Sequence, residues 1–497
     1  MEVKSGHLVR VCTGLCCRLT GATDHLRVLE GRLAITHGQT SADGRITLED
    51  APCLSVCSLG PVVEVDGVCH GRVSSASIDR LPMWFRARPP WPVDVDASNF
   101  PRMEAAGRTA RERLASLRSQ VEARARARPA WRFLVQGGSC GEALGTGEML
   151  KALRLLAAMR GLDAEVLDGA CHGLCTAGIV VEVQRGGWPP LTFTHLTTDM
   201  VPDFLSAVAG RAPPLTRFQG VAWNSEGWRG LPPVSRHPFF ARQRRVIMER
   251  CGHLHPVSLG DALLAEGYGA LAHVLDHRTA PEGAASACLV VSGEEGIPGL
   301  FTDRHLMEGD PHRVLEGLVI AGYAAGATLG VIHINGAARP SLQRMVRALA
   351  KAQAAGLIGD RILGSAFSFP VEIRQETRGC SREAERTSNV STLAALPATI
   401  AENHGGPAGQ GRSATTLCSV SGAVDRAGIV EIDGTVTLRE LLSDVAGGLR
   451  EPRHSTRALV VGPSGVPCSP ESLDTPVTSL AAFAAGAGGV IAIPDDD

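Results

Sequence analysis

The sequence predicts a multidomain protein of the α/β class. A chain of 497 residues is long enough for three or four domains, each with its own core. From residue 131 onward the pattern alternates: WRFLVQ predicts a strand, GEMLKALRLLAAMRG an amphipathic helix and DAEVLDGA a second strand. The longest apolar run, Leu318 to Ile334, is broken by glycines, Thr328 and His333. It therefore predicts a buried helix followed by a strand, and not a membrane span.

The charge and the N-terminal sequence limit which partners and which cellular compartment we expect. The formal net charge is −2 and 20% of residues are charged, so bulk attraction to nucleic acid is excluded and partners must be recognised locally. The start MEVKSGHLVR has no apolar secretory segment. We therefore expect the 14 cysteines to be reduced thiols in a cytoplasmic protein, rather than disulfides.

Two close pairs of cysteines predict a metal centre near the N-terminus. The pairs are Cys12-x4-Cys17 and Cys53-x3-Cys57, and two short loops that meet in space supply the four thiolates that a [2Fe-2S] cluster needs. Zinc is the alternative, although structural zinc sites usually contain a tighter C-x2-C pair and do not need the long separation seen here. Cys16 offers a second register, Cys12-x3-Cys16, or is a buried spectator.

The residues around these pairs resemble a known family. VCTGLCCRLTGA and HGQTSADGRITLEDAPCLSVCSLGPVVEVDG are similar to the thioredoxin-like [2Fe-2S] ferredoxin subunit of the NADH-dehydrogenase module found in respiratory complex I, NAD-reducing hydrogenases and formate dehydrogenases. The resemblance covers residues 6–82 and matches all four ligand positions. It implies a thioredoxin-like ferredoxin domain over residues 1–85, with a [2Fe-2S] cluster on Cys12, Cys17, Cys53 and Cys57.

Residues 86–130 are predicted to be a proline-rich linker followed by an arginine-rich helix. WFRARPPWPVDVDASNFPR marks the linker, and EAAGRTARERLASLRSQVEARARAR has strong helical character and ends before Pro129. Because the arginines alternate with acidic residues and alanines, we interpret them as a solvated helix face rather than a nucleic-acid-binding stripe.

Residues 131–211 repeat the first domain in outline and predict a second thioredoxin-like unit. It keeps Cys140 and the pair Cys171-x3-Cys175, but the thiol that would pair with Cys140 is missing. His172 follows Cys171 directly, so its side chain is expected to point away. Two interpretations stay open: a ferredoxin fold that has lost its cluster, or a possible second site on Cys140, Cys171 and Cys175.

The remaining chain resembles the flavoprotein subunit of the same module. FFARQRRVIMERCGHLHP, PGLFTDRHLMEGDPHRVLEGLVIAGYAAGA and SNVSTLAALPATI follow that subunit in order across residues 236–404. SATTLCSVSGAVDRAGIVEIDGTVTLRELL resembles the start of its ubiquitin-like β-grasp (SLBB) domain, which we place at residues 413–497. The resemblance implies an α+β flavoprotein-like core and a β-grasp tail.

The flavoprotein part departs from its family at the cofactor site. Between Leu275 and Leu289 the chain has only DHRTAPEGAASAC, too short for the Gly-Arg-Gly-Gly-Ala-Gly-Phe-Pro loop whose amides approach the flavin and dinucleotide phosphates. RQETRGCSREAERTS stands where relatives carry a Gly-Glu-Glu segment that contacts NADH. FMN and NAD binding is therefore doubtful. The chain also stops before the family's cysteine-rich region, so no [4Fe-4S] cluster is expected.

Four residues still match flavin contacts of the family: Glu294, Glu295, Asn389 and Thr392. We assign no catalytic residue. The resemblance implies an iron-sulfur electron-transfer subunit of a multisubunit oxidoreductase complex, with partner subunits, no nucleic acid and no direct membrane insertion. Two alternatives remain: an FMN-dependent NADH:acceptor oxidoreductase with a rearranged pocket, and a redox-sensing or assembly scaffold. Whether the chain is itself an enzyme stays open.

Overall fold

The computed structural model describes residues 6–79, 81–85, 109–277, 288–293, 297–336, 338–376, 386–404, 415–449, 456–461, 467–468, 470–480, 483 and 487–494. These residues form four β-sheets with helices packed on them, which confirms the mixed α/β architecture. None of the helices in the described ranges is long and apolar enough to cross a membrane.

The first sheet positions the N-terminal cysteines. Its strands lie in the order β2-β3-β1-β4-β5, with β1 and β3 parallel and the other pairs antiparallel. Val9 and Val11 of the central strand are fully buried, and Cys12 ends that strand. The elements are β1 His7–Cys12, α1 Leu15–Arg18, α2 Ala22–Leu33, β2 Gln39–Thr40, β3 Ile46–Ala51, β4 Val63–Val65, β5 Val68–His70, α3 Ser75–Ile78 and α4 Leu81–Trp84.

The second sheet repeats this arrangement, since β6 pairs with β7 in parallel and with β8 in antiparallel orientation, and β8 pairs with β9. A fifth strand, β10, follows in antiparallel orientation on the outer side of β9. The predicted strand, helix and strand correspond to β6, α7 and β7. The elements are α5 Ala110–Ala125, β6 Trp131–Gln136, α6 Gly138–Leu144, α7 Thr146–Met159, β7 Ala164–Gly169, β8 Val181–Arg185, β9 Leu191–Phe193, α8 Val201–Val208 and β10 Gly220–Ala222.

The third sheet is parallel throughout, in the order β13-β12-β11-β14. The apolar run from Leu318 to Ile334 forms the end of α13 and most of β12, as predicted. The elements are α9 Pro238–Ala241, α10 Leu259–Leu264, α11 Gly269–His277, β11 Cys288–Gly293, α12 Thr302–Gly309, α13 Pro311–Ala325, β12 Leu329–Asn335, α14 Arg339–Ala354, β13 Val371–Glu376, β14 Arg386–Asn389 and α15 Val390–His404.

The fourth sheet has a parallel central pair, β15 and β19, flanked by antiparallel strands in the order β16-β15-β19-β17-β18. This sheet contacts the segment between α9 and α10 through Glu431. The buried Glu431 carboxylate accepts hydrogen bonds of 2.9 Å from the amides of Val246, Ile247 and Met248. The elements are β15 Thr416–Gly422, β16 Gly428–Ile432, α16 Leu438–Glu440, a π-helical turn Leu441–Val445, β17 Thr456–Val461, β18 Pro467–Cys468 and β19 Ala487–Pro494.

Helix α5 packs against α10 and α11 of the third sheet's domain. Thr109 and Glu112 form a capping box at its start, and Leu114, Leu117 and Val121 are buried. Arg111 and Arg124 are exposed, as predicted, but two other arginines are less solvated. Arg113 donates to Leu363 O at 2.8 Å and Arg118 binds Glu266 at 2.5 Å, because this face lies against the core. The predicted linker over residues 86–108 lies outside the described residues.

Candidate functional site

Four predicted ligands converge in one place, and we call them the first thiol group: Cys12, Cys17, Cys53 and Cys57. The Cys12 thiol contacts those of Cys17 and Cys53, and Cys53 Sγ lies 3.5 Å from Cys57 Sγ. Cys53 is half-buried, whereas the other three are at most 6% exposed. Cys12 is placed by the end of β1, Cys17 by α1, and Cys53 and Cys57 by the loop after β3.

The electrostatics of the first thiol group favour a cationic occupant. Hydrogen bonds from Cys17 and Cys53 lower the pKa of Cys12 to about 3. Hydrogen bonds to Cys12, together with burial, raise the pKa of both Cys17 and Cys53. The group thus carries one thiolate easily and resists further negative charge. Metal-bound cysteines are thiolates, so iron would supply the charge that lets all four deprotonate. The donor set and its compact placement fit a [2Fe-2S] cluster.

Two backbone amides donate to sulfurs of the first thiol group, one of them from a residue distant in sequence. The Gly299 amide donates to Cys57 Sγ at 3.3 Å, and the Ser55 amide donates to Cys53 Sγ at 3.3 Å. Such donors stabilise negative charge on sulfur and tune a cluster. Cys16 is also buried; its thiol contacts Cys57 and lies 3.3 Å from Ser421 Oγ of β15. Cys16 therefore sits beside the group, facing the fourth sheet.

Three further cysteines, the second thiol group, lie together in the second sheet's domain: Cys140, Cys171 and Cys175. Cys140 Sγ and Cys175 Sγ are 4.0 Å apart, and the Cys175 thiol also contacts Cys171. The contact with Cys140 lowers the pKa of Cys175, but the contact with Cys171 and burial outweigh it and raise the pKa to about 12. Ser58, next to Cys57 in sequence, also contacts Cys175, so the two thiol groups are close neighbours.

The helix that carries Cys140 is fixed to the third sheet's domain by Glu308 of α12. Its carboxylate accepts hydrogen bonds from Ser139 N at 2.9 Å, Ser139 Oγ at 2.6 Å and Ser341 Oγ at 2.9 Å. Arg304 lies 3.3 Å from the same carboxylate and donates to Cys140 Sγ at 3.6 Å. Glu308 and Arg304 are both buried, so these hydrogen bonds hold the helix that carries Cys140 firmly against α12.

A cavity of about 500 Å³, the junction cavity, lies between the first thiol group and the third sheet. Cys53 and Ser55 line it from the first sheet's domain, and Gly293, Asn335 and Arg339 line it from the third sheet's domain. Gly293 and Asn335 end parallel strands β11 and β12, and Arg339 begins α14. The carboxyl ends of parallel strands are where α/β sheets commonly bind ligands. The cavity thus joins a potential ligand site directly to the loop that carries Cys53.

The structure places the predicted flavin contacts only in part. Glu294 and Glu295 lie outside the described residues, as does most of the short segment that replaces the glycine-rich loop. Asn389 ends β14, and its Oδ1 accepts a 2.9 Å hydrogen bond from Thr392 N at the start of α15. Neither residue is among those described as lining the junction cavity. Their assignment as flavin contacts stays a prediction.

Comparison with known proteins gives two family matches within the chain. Residues 1–82 match the family "Thioredoxin-like [2Fe-2S] ferredoxin", and residues 265–397 match the "Nuo51 FMN-binding domain". These matches confirm the resemblance to the ferredoxin subunit and to the FMN-binding part of the flavoprotein subunit. The first covers the whole first thiol group and the second includes β11, β12 and α12 to α14. The β-grasp resemblance over residues 413–497 lies outside both matches and stays a prediction.

Individual relatives agree with the family matches. The chain is 28% identical over 323 residues to NADP-reducing hydrogenase subunit HndC of Solidesulfovibrio fructosivorans, covering 52% of this chain and 66% of that protein. It is 29% identical over 219 residues to the mitochondrial NADH-ubiquinone oxidoreductase 51 kDa subunit of Neurospora crassa, covering 37% and 44%. The matched region thus spans less than two thirds of these relatives. An air-oxidized NAD+-reducing [NiFe]-hydrogenase structure aligns with 99% of this chain and 70% of its own, at 17% identity and a TM-score of 0.47.

Proposed function

We propose that this chain, which unites a thioredoxin-like [2Fe-2S] ferredoxin domain with a Nuo51-type FMN-binding domain, is an iron-sulfur electron-transfer subunit of an NADH-dehydrogenase-type complex. Complexes of the complex I, hydrogenase and formate dehydrogenase types use such modules. The observation that carries the proposal is the convergence of four thiols, three of them buried, beside the junction cavity. Cys12, Cys17, Cys53 and Cys57 would hold the cluster, which supplies one-electron chemistry when bound.

The surrounding residues suit that role. The amides of Gly299 and Ser55 donate to ligand sulfurs, which stabilises their negative charge and sets the potential of a bound cluster. Cys53 is the ligand that lines the junction cavity, so it marks the side on which an electron donor or acceptor comes closest. Burial of the other three ligands keeps water from the remaining faces.

We further propose that the chain has lost its own flavin and NADH site and relies on partner subunits in a cytoplasmic complex. The short sequence between Leu275 and Leu289 supplies no glycine-rich cradle for phosphate, and two arginines near the cavity already pair with acids: Arg10 with Glu64 at 2.6 Å, and Arg304 with Glu308 at 3.3 Å. In this proposal residues 413–497 are an SLBB-type β-grasp domain that presents a docking surface, and the second thiol group has lost its cluster.

The junction cavity favours a second candidate, an FMN-dependent NADH:acceptor oxidoreductase. The cavity lies at the carboxyl ends of β11 and β12, within the segment matched by the FMN-binding family, and the N-terminus of the 16-residue helix α14 borders it. A helix N-terminus with Arg339 beside it attracts a phosphate. In this alternative FMN lies in the junction cavity, next to Cys53.

One titration distinguishes the two candidates. The iron-loaded full chain is titrated with FMN while flavin fluorescence is followed, and NADH with an artificial electron acceptor is then added. The relay proposal expects no stoichiometric FMN binding and no NADH oxidation. Stoichiometric binding with NADH-dependent reduction of the acceptor would establish the oxidoreductase instead.

A pair of variants locates any FMN that does bind. Arg339→Ala should weaken binding at the junction cavity, whereas Arg374→Ala, on an exposed part of β13 and paired with Glu372, should not. Equal affinity in both variants would place FMN elsewhere. Iron and sulfide assays on the same samples test the cluster independently of flavin.

A further inference from the structure

A buried set of two histidines and one carboxylate lies in the second sheet's domain and includes none of the cysteines. His172 sits in the loop after β7, Glu182 lies on β8, and His253 comes from the segment before α10. One ligand atom from each of the three lies within 4.8 Å of the others. His172 is 4% exposed and Glu182 is 1% exposed, and the His253 side chain is 18% exposed. The second sheet's domain thus contains a compact set of potential metal ligands.

The ligand atoms of this set are close enough together to surround one cation. Glu182 Oε2 lies 3.1 Å from His172 Nε2 and 2.7 Å from His253 Nδ1. Nitrogen and oxygen atoms bound to one zinc ion at about 2.0–2.2 Å lie roughly 3.0–3.5 Å apart, so small movements would admit an ion. His253 Nδ1 has no partner in hydrogen-bond geometry despite its 2.7 Å contact with the carboxylate. A bound ion would replace this direct contact between the imidazole and the carboxylate.

A supporting layer of hydrogen bonds holds the set. Gln184 Nε2 donates to Glu182 Oε1 at 2.6 Å, which leaves Oε2 facing the two imidazoles. Trp223 Nε1 donates to Thr192 Oγ1 at 2.7 Å, and that hydroxyl lies 3.2 Å from His172 Nε2. Metal-binding side chains are usually oriented by such outer partners.

An apolar cavity of about 300 Å³ adjoins the set. His172 and Thr192 line it, and so does Gln136, which is 1% exposed and whose amide nitrogen and oxygen both lack a hydrogen-bond partner. A buried amide with no partner is costly unless something in the cavity binds it. The cavity therefore offers room and polar contacts for water or a small polar ligand next to the histidines.

We propose that His172 Nε2, Glu182 Oε2 and His253 Nδ1 bind a divalent transition-metal ion, with zinc as the expected metal. Two imidazoles and one carboxylate are a donor set that zinc accepts, and imidazole suits borderline metals better than magnesium or calcium. Three protein ligands leave one position of a tetrahedral ion for Thr192 or for water on the cavity side. This three-ligand arrangement is the pattern of zinc sites that act on a small molecule.

The first measurement is the metal content and cobalt spectrum of the full chain with its iron loaded. Purified chain is expected to contain about one zinc per chain. After the zinc is removed, added Co²⁺ should give visible d–d bands without a sulfur-to-cobalt charge-transfer band, because the ligands are nitrogen and oxygen. Absence of zinc together with no Co²⁺ binding, or binding with a strong sulfur band only, would overturn the proposal.

Variants assign the site. Glu182→Gln and His253→Asn should each weaken Co²⁺ binding by at least about tenfold, in line with the losses seen when metal-site residues are changed. The matched control is His37→Asn, because His37 pairs with Glu30 at 2.8 Å on the surface but has no second histidine. If Glu182→Gln fails to fold, the less buried His253→Asn provides the test. Unchanged affinity in a folded His253→Asn chain would refute the assignment.

Discussion

Replacing Cys53 with alanine tests the first thiol group most directly. Cys53 is one of four converging thiols, and a [2Fe-2S] cluster needs all four. We expect the variant to lose about two irons per chain and the visible absorption of the cluster. The domain over residues 6–82 should also become less stable, because cluster binding and folding are coupled.

The structure separates that coupling from the direct effect of the substitution. Cys53 is only half-buried, and its sulfur accepts one 3.3 Å hydrogen bond, from Ser55 N. Removing this bond and a small buried area costs about 1–2 kcal/mol. The free energy of unfolding of Cys53→Ala should therefore lie within that amount of the value for iron-stripped wild type. Both should be much less stable than the iron-loaded protein.

The matched control is Cys69→Ala. Cys69 lies on β5, is half-buried like Cys53 and also lines the junction cavity, but it belongs to neither thiol group. Iron, sulfide, visible circular dichroism and thermal unfolding are measured on both variants. Cys69→Ala should keep its iron and spectrum. If Cys53→Ala kept them as well, Cys53 would not be a ligand.

Three further expectations follow from the contacts described above. Iron analysis and electron paramagnetic resonance should find about two irons and one reduced signal per chain; about four irons and two signals, the second lost in Cys175→Ser, would show that the second thiol group recruits another ligand. Glu308→Ala removes three hydrogen bonds and the carboxylate that Arg304 contacts. Hydrogen exchange near Cys140 should therefore rise, and the free energy of unfolding should fall by about 3–5 kcal/mol. Unchanged exchange would contradict this role of Glu308. Glu431→Ala removes the acceptor of two buried amides and one part-buried amide, and should loosen residues 246–248 by about 2–4 kcal/mol in the same assay. Exposed Glu372→Ala is the unaffected control.

Most of the correct predictions came from the spacing of residues that are close together in the sequence. Cys12 ends β1 and Cys17 lies on α1, while Cys53 and Cys57 lie in the loop after β3. Because each pair is close in sequence and fits a known family pattern, the convergence of the four thiols could be predicted. Helix and strand patterns likewise predicted α7, β6 and β12, because burial on one face determines their periodicity.

Contacts between distant segments could not be predicted in this way. Nothing near Cys57 in sequence indicates that the Gly299 amide reaches its sulfur, since that contact depends on how two domains pack. His172, Glu182 and His253 come from three separate segments and form no motif, and His172 was considered only as a neighbour of Cys171. The expectation that His172 points away from the thiols agrees with its contacts to Glu182 and Thr192.

Gly299 contacts Cys57, and Ser421 of β15 contacts Cys16, so later parts of the chain cover the N-terminal cysteines. Cys12, Cys16 and Cys17 are at most 2% exposed once the third and fourth sheets are docked, and Gly299 also accepts a 2.7 Å hydrogen bond from Ser419 of β15. Among the four ligands only Cys53 is half-buried, and it lines the junction cavity. We therefore expect iron to be inserted before the third and fourth sheets dock on the N-terminal domain, so that docking then covers the loaded site. The order of synthesis along the chain, N-terminal domain first, matches that order of maturation.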